Sequence, residues 1–255
     1  MEYTQLRSGI LIRRYKRFLA DVRLASGEEV VAHCPNTGSM RAVNVPGSRV
    51  WLSPSRNPAR KLAWTWEWIE LPMPGAPPAL ASIHTGRAND WVEEALGAGR
   101  IAELAGYTTL KREAKVEGAR LDFRLASAGQ TTHVEVKQVT LREEDGHGYF
   151  PDAVSERGRR HLESLATRVA LGERAVLLFC VAHTGIDAVA PAAHLDPAYA
   201  DTLRRVAAQG VEVLAYGVSV TRDMEGMPGQ AILTRRLRVD LERQPPSACV
   251  NVTRE

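Results

Sequence analysis

The chain is poor in cysteine, with three residues, Cys34, Cys180 and Cys249, set far apart among 255 positions. An odd number at such wide spacing fits neither a disulfide framework nor a CxxC metal site. The sequence also contains no apolar run of membrane-spanning length, and no apolar segment follows a basic start at the N-terminus. We therefore expect an unanchored protein of the reducing cytoplasm, without a membrane partner.

Internal repeats and a nucleotide-binding glycine fingerprint are also missing, so no motif supports a nucleotide-dependent metabolic enzyme. Charge of one sign does not dominate, because 33 Lys and Arg residues face 30 Asp and Glu residues and the formal net charge is +3. This mild basic balance permits a nucleic-acid partner without demanding one. With 44% hydrophobic residues in 28.0 kDa, the chain can form one large or two small domains.

Short alternating segments bounded by turns occupy the first part of the chain and predict a small all-β unit. The tryptophans at 64, 66 and 68 recur at period two, which predicts that all three lie on one face of their strand. The proline-rich stretch 72–78 (PMPGAPP) then predicts a linker and a domain boundary near residue 80. The strands predicted here cover 18–24, 28–33, 49–53 and 64–71.

Longer amphipathic segments then alternate with β-rich ones, a pattern typical of a mixed α/β domain. The three predicted helices begin at Asn89 or Asp90, at Ser155, and at Asp196 followed by a proline; the first and third end near Gly106 and Gly210. The sequence thus predicts domains at 1–80 and 81–240 and a tail at 241–255. The predicted strands cover 108–117, 120–125, 132–140, 175–182 and 211–220.

Three chemically active side chains share the polar faces of two of these strands. Asp122 alternates with apolar neighbours in LDFRL (121–125), and Glu135 and Lys137 do so in HVEVK (133–137). If Ala128 and Gly129 centre the connecting hairpin, Asp122 lies directly across from Glu135. Two carboxylates and a lysine then meet on one sheet face.

Paired carboxylates between apolar strands are poorly solvated and repel each other, and a divalent cation with hard oxygen ligands relieves both effects. We expect Mg²⁺, or Mn²⁺ in its place, held by Asp122, Glu135 and the carbonyl of Val136, with a bound water as nucleophile. Lys137 would orient that water and neutralise charge on a phosphate. Glu113, on the preceding strand, could accept a hydrogen bond from metal-bound water or bind a second metal ion. The competing interpretation is a set of cross-strand ion pairs on a solvated sheet.

The predicted order of helix, three strands, crossover helix and buried strand resembles the PD-(D/E)xK, or restriction-endonuclease-like, core, although Leu121 replaces the proline before the first acidic residue. A longer resemblance is to the sugar fermentation stimulation protein family. It rests on RYKRFLADV (14–22), HCPNTGSM (33–40), ELAGY (103–107), LDFRL (121–125), VEVKQVTL (134–141), GYFPDAVSERGRRHL (148–162) and VEVLAYG (211–217).

This resemblance implies a mixed α/β protein, with an N-terminal OB-like β-barrel followed by a restriction-endonuclease-like αβββαβ domain. It also implies non-specific DNA binding and a role in regulating sugar (maltose) metabolism, with the family's acidic and lysine positions at Asp122, Glu135 and Lys137 and Glu113 beside them. We therefore expect a Mg²⁺-dependent nuclease site; the alternative is a catalytically inactive DNA-binding regulator. The stretch after about residue 235 departs from the family pattern.

Basic side chains that could follow phosphates occur near the first strands and at the start of the second helix. The alternative is a solvated basic surface, and for the tryptophans burial in the barrel is favoured over base stacking. The segment 33–38 has too few ligands for zinc and is expected to be a structural loop. The oligomeric state is left open, a homodimer included. The candidate nucleic-acid-binding residues are Arg13, Arg14, Lys16, Arg17, Arg56, Arg60, Lys61 and Arg157.

Overall fold

Five strands close into a small barrel at the N-terminal end of the chain. The computed structural model describes residues 1–55, 57 and 59–244. The strands pair in the order β3-β2-β1-β4-β5, and a parallel pairing of β3 with β5 closes the ring. This confirms the expected OB-like barrel. The strands are β1 (Arg7–Tyr15), β2 (Leu19–Leu24), β3 (Glu29–His33), β4 (Arg49–Pro54) and β5 (Trp64–Met73).

Strand β1 was not predicted, although the barrel cannot close without it. The register of β1 against β2 shifts between Leu11 and Arg13, where a bulge breaks the inside–outside alternation. Two of the basic residues expected to precede the first strand, Arg13 and Arg14, therefore lie within β1.

The proline-rich stretch is a hairpin, so the linker interpretation was wrong. Strand β5 turns at Pro74 and Gly75 into β6 (Ala76–Ser82), which pairs antiparallel with it. Prolines are tolerated there because β6 is the last strand of its sheet, where backbone donors are not all needed. The edge of β6 also meets the second sheet, since Ser82 N–H donates to Ala182 O and Thr184 N–H to Leu80 O.

The tryptophans of β5 divide between two cores instead of sharing one face. The register between β4 and β5 shifts between Trp51 and Leu52, which inserts an extra residue in β5. Trp66 consequently packs inside the barrel, whereas Trp68 packs outside it against Trp91. Burial in the barrel is thus confirmed for Trp66, whereas Trp68 is buried outside the barrel and Trp64 is only partly buried.

The rest of the described chain forms a nine-stranded mixed sheet with helices on both faces. Its order is β10-β11-β13-β15-β14-β12-β9-β8-β7. The helices are α1 (Arg87–Gly97), α2 (Glu156–Ala170) and α3 (Pro197–Ala208), with a 3₁₀ turn at Ala102–Leu104. The strands are β7 (Thr109–Val116), β8 (Ala119–Ser127), β9 (Gln130–Val139), β10 (Leu141–Arg142), β11 (Gly148–Phe150), β12 (Arg174–Val181), β13 (Ala188–Pro191), β14 (Glu212–Arg222) and β15 (Pro228–Val239).

The expected core order is present, as α1, β7, β8, β9, α2 and β12 follow one another in the chain. Strand β12 is buried and lies parallel to both β9 and β14, which makes α2 a crossover helix. The side chains of Ser155 and Asp196 cap α2 and α3 as predicted. Helix α1 begins earlier than predicted, after Gly86. Asn89 therefore lies inside the helix and does not cap it.

Short strands β10, β11 and β13, and the long strand β15, were not predicted. Strand β15 carries basic residues on its exposed positions, so its apolar alternation is weak in the sequence. Residues 245–255 of the predicted tail, with Cys249 among them, lie outside the described residues.

An apolar core lies on each face of the large sheet, and one of the two also joins the sheet to the barrel. On one face, α1 and the outer surface of the barrel pack through Trp51, Trp68 and Trp91. On the other face, α2 and α3 pack around Leu177, Phe179 and Tyr199. Within the described part of the chain, no helix has both the length and the apolar content needed to cross a membrane.

Candidate active site

The β8–β9 hairpin brings Asp122 and Glu135 together in the predicted register. The observed pairs run from Ser127 with Gln130 to Phe123 with Val134, and one further step places Asp122 opposite Glu135. The backbone ladder stops before that step. Instead, the Val136 N–H donates to Oδ2 of Asp122 at 2.8 Å. The carboxylate thus takes the place of a backbone acceptor where the two strands separate.

Helix α1 fixes the other oxygen of Asp122. The Asn89 side-chain amide donates to Asp122 Oδ1 at 2.8 Å. Burial of the carboxyl group, reinforced by the nearby charge of Glu135, raises the pKa of Asp122, even though these hydrogen bonds and Lys137 act in the opposite direction. The Asp122 charge is therefore not fully compensated by the protein.

Glu135 is almost completely buried, and only one of its oxygens is held. Its Oε1 accepts from His161 Nδ1 and from Lys137 Nζ, the latter at 2.5 Å. Burial alone would raise the pKa of Glu135, but the hydrogen bond from His161 and the charge of Lys137 outweigh it and hold this pKa below its ordinary value. Glu135 is thus an anion, and within the described structure its Oε2 is buried without a hydrogen-bond partner.

Lys137 and Arg157 supply positive charge at the same place. The Lys137 side chain is 15% exposed and lies 3.4 Å from His161 Nδ1 as well as against Glu135. Arg157, in the first turn of α2, approaches Nε2 of His161 at 3.4 Å. Because His161 Nδ1 contacts a carboxylate oxygen, it carries the proton, and Nε2 is left to accept from Arg157.

Glu113 lies beside this group without joining it. It is opposite Asp122 on β7 and has a left-handed backbone with φ 53°, strained for a residue other than glycine. Its exposed carboxylate pairs with Arg120 at 3.1 Å. Across the described ranges, no three His, Cys, Asp or Glu side chains are arranged to hold a metal ion together. The predicted set of Asp122, Glu135 and Glu113 is therefore not assembled as three direct ligands.

These side chains line an open cleft of about 460 Å³ that also includes Thr85. A second cleft of about 270 Å³ shares Thr85, Val136 and Lys137 with it and extends to Asn36 of the barrel. The candidate site therefore opens towards the barrel, and a ligand reaching Lys137 from that side passes the segment 34–40.

Of the segment 33–38 that was expected to be a structural loop, His33 ends β3, and the loop itself runs over 34–40. Two predicted nucleic-acid-binding residues hydrogen-bond to it. Arg14 donates to the carbonyls of Asn36 and Gly38, each at 3.0 Å, and Arg17 donates to the carbonyl of Thr37 at 2.8 Å. The guanidinium groups of Arg14 and Arg17 are thus engaged by backbone oxygens.

Both ends of the same loop are hydrogen-bonded to the second unit, one to the turn before α1 and the other to the segment after β11. Thr85 donates its hydroxyl to Pro35 O at 2.9 Å. At the other end, Asp152 accepts from Ser39 Oγ at 2.7 Å and from Met40 N–H at 3.0 Å. The barrel is thereby tied to both sides of the cleft that holds Lys137.

The remaining predicted basic residues fall into separate places. Arg13 pairs with Asp21 on the barrel at 2.7 Å. Lys16, Arg60 and Lys61 line one groove of the barrel surface. Arg60 also donates to Thr65, which lies outside that groove, at 2.9 Å. Arg56 lies outside the described residues. Among the eight candidates, only Arg157 lines the carboxylate cleft in the described structure.

Sequence reasoning missed the roles of His161 and Asn89. Asn89 was predicted only as a possible helix cap, and no role was predicted for His161. Asn89 contacts Asp122, and His161 contacts Glu135. Each contact comes from a helix that is distant in sequence, so no local sequence pattern predicts it. The order of elements offered the only indication, because α1 and α2 flank the three-stranded hairpin unit.

The donor set fits one divalent cation at two carboxylates. Oε2 of the Glu135 carboxylate is buried without a hydrogen-bond partner among the described residues, because Lys137 and His161 both contact Oε1. Asp122 adds a second charge whose burial is not offset. Hard oxygen donors of this kind suit Mg²⁺, Mn²⁺ or Ca²⁺.

The fold and this site define a class: an OB-like barrel joined to a mixed α/β sheet unit with a carboxylate–lysine cleft on its central hairpin. Residues 12–75 match the SfsA N-terminal OB domain, and residues 86–224 match the sugar fermentation stimulation protein RE domain. The chain belongs to the sugar fermentation stimulation protein family.

Curated relatives carry the description "Sugar fermentation stimulation protein homolog". The relative from Chromohalobacter salexigens is 77% identical over 248 residues, which cover 97% of this chain and 98% of the relative. The relative from Pseudomonas putida is 54% identical over 237 residues, 92% of this chain and 96% of the relative. Among solved structures, SfsA of Pyrococcus furiosus in complex with Ca²⁺ matches with a TM-score of 0.82 and 28% identity, over 94% of this chain and 98% of that one.

Proposed function

We propose that this protein is a divalent-cation-dependent phosphodiesterase that binds DNA without strong sequence preference. The observation that carries the proposal is the buried, unpartnered Oε2 of Glu135, which lies in one cleft with Asp122 and Lys137. A buried anionic oxygen without a partner is costly in a fold, and it is most simply explained by a cation that binds there.

Asp122 and Glu135 would hold the cation, with the Val136 carbonyl as a further oxygen donor. When bound, Mg²⁺ or Mn²⁺ would supply Lewis-acid activation of a phosphodiester and of a water molecule. The Pyrococcus furiosus SfsA structure, described as a complex with Ca²⁺, supports a cation in this family. Asn89 and the Val136 N–H hold Asp122 in one orientation, which reduces the reorganisation needed for binding.

Lys137 and Arg157 would act on the substrate. The Lys137 ammonium is held by Glu135 and can donate its remaining protons to a phosphate oxygen or to an attacking water. Arg157 is exposed at the wall of the cleft, where its guanidinium can bind a neighbouring phosphate. Lys137 therefore serves the reacting group, and Arg157 serves substrate binding.

A second candidate function is a catalytically inactive DNA-binding regulator of sugar metabolism. It is favoured by the saturation of Asp122, whose two oxygens already accept from Asn89 and Val136, and by the pairing of Glu113 with Arg120. In that case the carboxylates are structural, and DNA binding alone would link the protein to sugar fermentation.

The two functions are separated by one assay. Purified protein is incubated with end-labelled single- and double-stranded DNA in Mg²⁺, Mn²⁺ or EDTA, beside Asp122→Ala and Lys137→Ala. Lys111→Ala is the matched control, because Lys111 is an exposed lysine on the neighbouring strand β7 and does not line the cleft.

Cutting that requires the cation, is lost in Asp122→Ala and Lys137→Ala, and persists in Lys111→Ala supports the phosphodiesterase. Retained DNA shifts without cutting by the unaltered protein would favour the regulator. If the unaltered protein neither binds nor cuts DNA, both functions are contradicted.

A further inference from the structure

An exposed aromatic side chain lies in a groove on the barrel, and the carboxylate site does not account for it. This Phe18 groove measures about 610 Å³ and is formed by Phe18, Val31 and Leu62, with Lys16, Arg60 and Lys61 around them. Phe18 is 46% exposed and Val31 is 40% exposed; among the exposed large hydrophobic residues of the described chain, Phe18 is the sole aromatic one.

The groove is built on a fixed turn. Lys16 and Arg17 both have left-handed backbones, with φ 48° and 65°. Arg14 donates to the Arg17 carbonyl at 2.8 Å, and the Cys34 N–H donates to the Phe18 carbonyl at 2.8 Å. These hydrogen bonds fix the backbone at Phe18. Binding a base on its ring therefore costs the protein little conformational entropy.

From this groove we infer that the barrel binds single-stranded nucleic acid by stacking a base on Phe18, with Lys16, Lys61 and Arg60 following the phosphates. The described lining holds three cations and no carboxylate, so its charge complements a phosphate backbone. A duplex keeps its bases stacked on one another, so only an unpaired base can reach the ring. Two exposed apolar side chains are too small a surface for a second copy, since a stable dimer buries about 800 Å² per partner.

The groove is separated from the cleft beside Lys137 by a short stretch of chain, and the link drawn here between the two rests on the proposed function. His33 lines the groove, and Asn36, three residues later, lines the cleft next to Lys137. Three residues of chain span at most about 11 Å. A single-stranded nucleic acid with one base stacked on Phe18 would therefore pass over the loop 34–40. It would place a nearby phosphodiester at Asp122 and Glu135.

The test measures binding in EDTA, where cutting cannot occur. A labelled mixed-sequence single strand of about 12 nucleotides, within the range bound by one OB barrel, is titrated by fluorescence anisotropy beside a duplex of equal length. Phe18→Ala is compared with Phe18→Tyr, which keeps a stacking ring, and with Leu171→Ala, which removes an exposed apolar side chain outside the groove.

We expect Phe18→Ala to weaken single-strand binding by about 10-fold or more, and Phe18→Tyr and Leu171→Ala to bind within about twofold of the unaltered chain. Lys61→Gln should lower the slope of log affinity against log salt by about 0.7. Unchanged single-strand binding by Phe18→Ala, or equal loss for the duplex, would overturn the inference. So would a change in the sedimentation of Phe18→Ala without a change in DNA binding, which would identify the groove as a contact between two copies of the chain.

This outcome is independent of the cleavage assay. If the unaltered protein cuts DNA but Phe18→Ala binds normally, the groove inference alone fails. If Phe18→Ala loses single-strand binding but no protein cuts, the phosphodiesterase proposal alone fails.

Discussion

His183 should make the stability of this protein depend on pH in the mildly acidic range. The side chain is 2% exposed, at the seam where Ala81 of β6 meets the end of β12. Its Nδ1 accepts from the Gly185 N–H at 3.0 Å, so that nitrogen carries no proton in the fold. Burial, with a smaller contribution from the charge of Arg142, lowers the pKa of His183 from 6.5 to about 4.

The sign and size of the effect follow from proton linkage. Above the unfolded pKa neither state binds the proton, so the stability contribution is fully present. As the pH falls below 6.5, the unfolded chain binds a proton that the folded chain does not, and stability is lost until the pH reaches the folded pKa near 4. The full difference is about 3 kcal/mol, and about 2 kcal/mol of it is lost between about pH 7 and pH 5.

Urea denaturation at several pH values measures this loss, with His183→Asn as the matched variant. An asparagine can still accept from the Gly185 N–H but does not titrate. The other histidines are the same in both proteins, so their contributions to the pH dependence cancel in the comparison. The variant should lose about 2 kcal/mol less than the unaltered protein over this range. Parallel pH profiles for the two proteins would refute the assignment.

Three further perturbations probe the packing and the site. Trp68→Ala should lower the free energy of unfolding by about 3 to 5 kcal/mol, as measured by denaturation, because the side chain is fully buried between the barrel and α1. Glu135→Gln should cost about 3 kcal/mol by leaving the Lys137 ammonium largely buried without its anion, and adding Lys137→Met should recover most of the loss. Asp152→Ala should speed hydrogen exchange at the Met40 amide by about 10-fold or more by removing its acceptor.

Each of these has a contrary outcome. A Trp68→Ala loss under about 1 kcal/mol would show that the interface between barrel and sheet is not tightly packed. Equal melting of Glu135→Gln and its double variant would show that Lys137 is solvated. Unchanged exchange at Met40 would show that the loop 34–40 is held by other contacts.

The hairpin register was predictable because two local rules agree there. The alternation of apolar residues around Asp122 and Glu135, together with a turn at Ala128 and Gly129, allows one pairing that buries the apolar face. The caps at Ser155 and Asp196 were predictable for the same reason, since side chain and helix start are neighbours in sequence.

The errors arose where the deciding contact is distant in sequence. The bulge that sends Trp66 and Trp68 into different cores is imposed by pairing with β4, and the prolines of β6 are tolerated because that strand ends its sheet. Nothing in the local sequence indicates that Arg14 and Arg17 donate hydrogen bonds to the backbone carbonyls of residues 36–38. The partners of the carboxylates on α1 and α2 were missed for the same physical reason.

Calorimetric titration of the metal-free protein with Mn²⁺ and Mg²⁺ measures whether a cation binds at the carboxylate cleft, without requiring a substrate. We expect one site per chain that is lost in Asp122→Asn and retained in Glu113→Gln, because the Glu113 carboxylate pairs with Arg120 instead. Absence of binding to the unaltered protein, or equal binding by Asp122→Asn, would contradict this expectation.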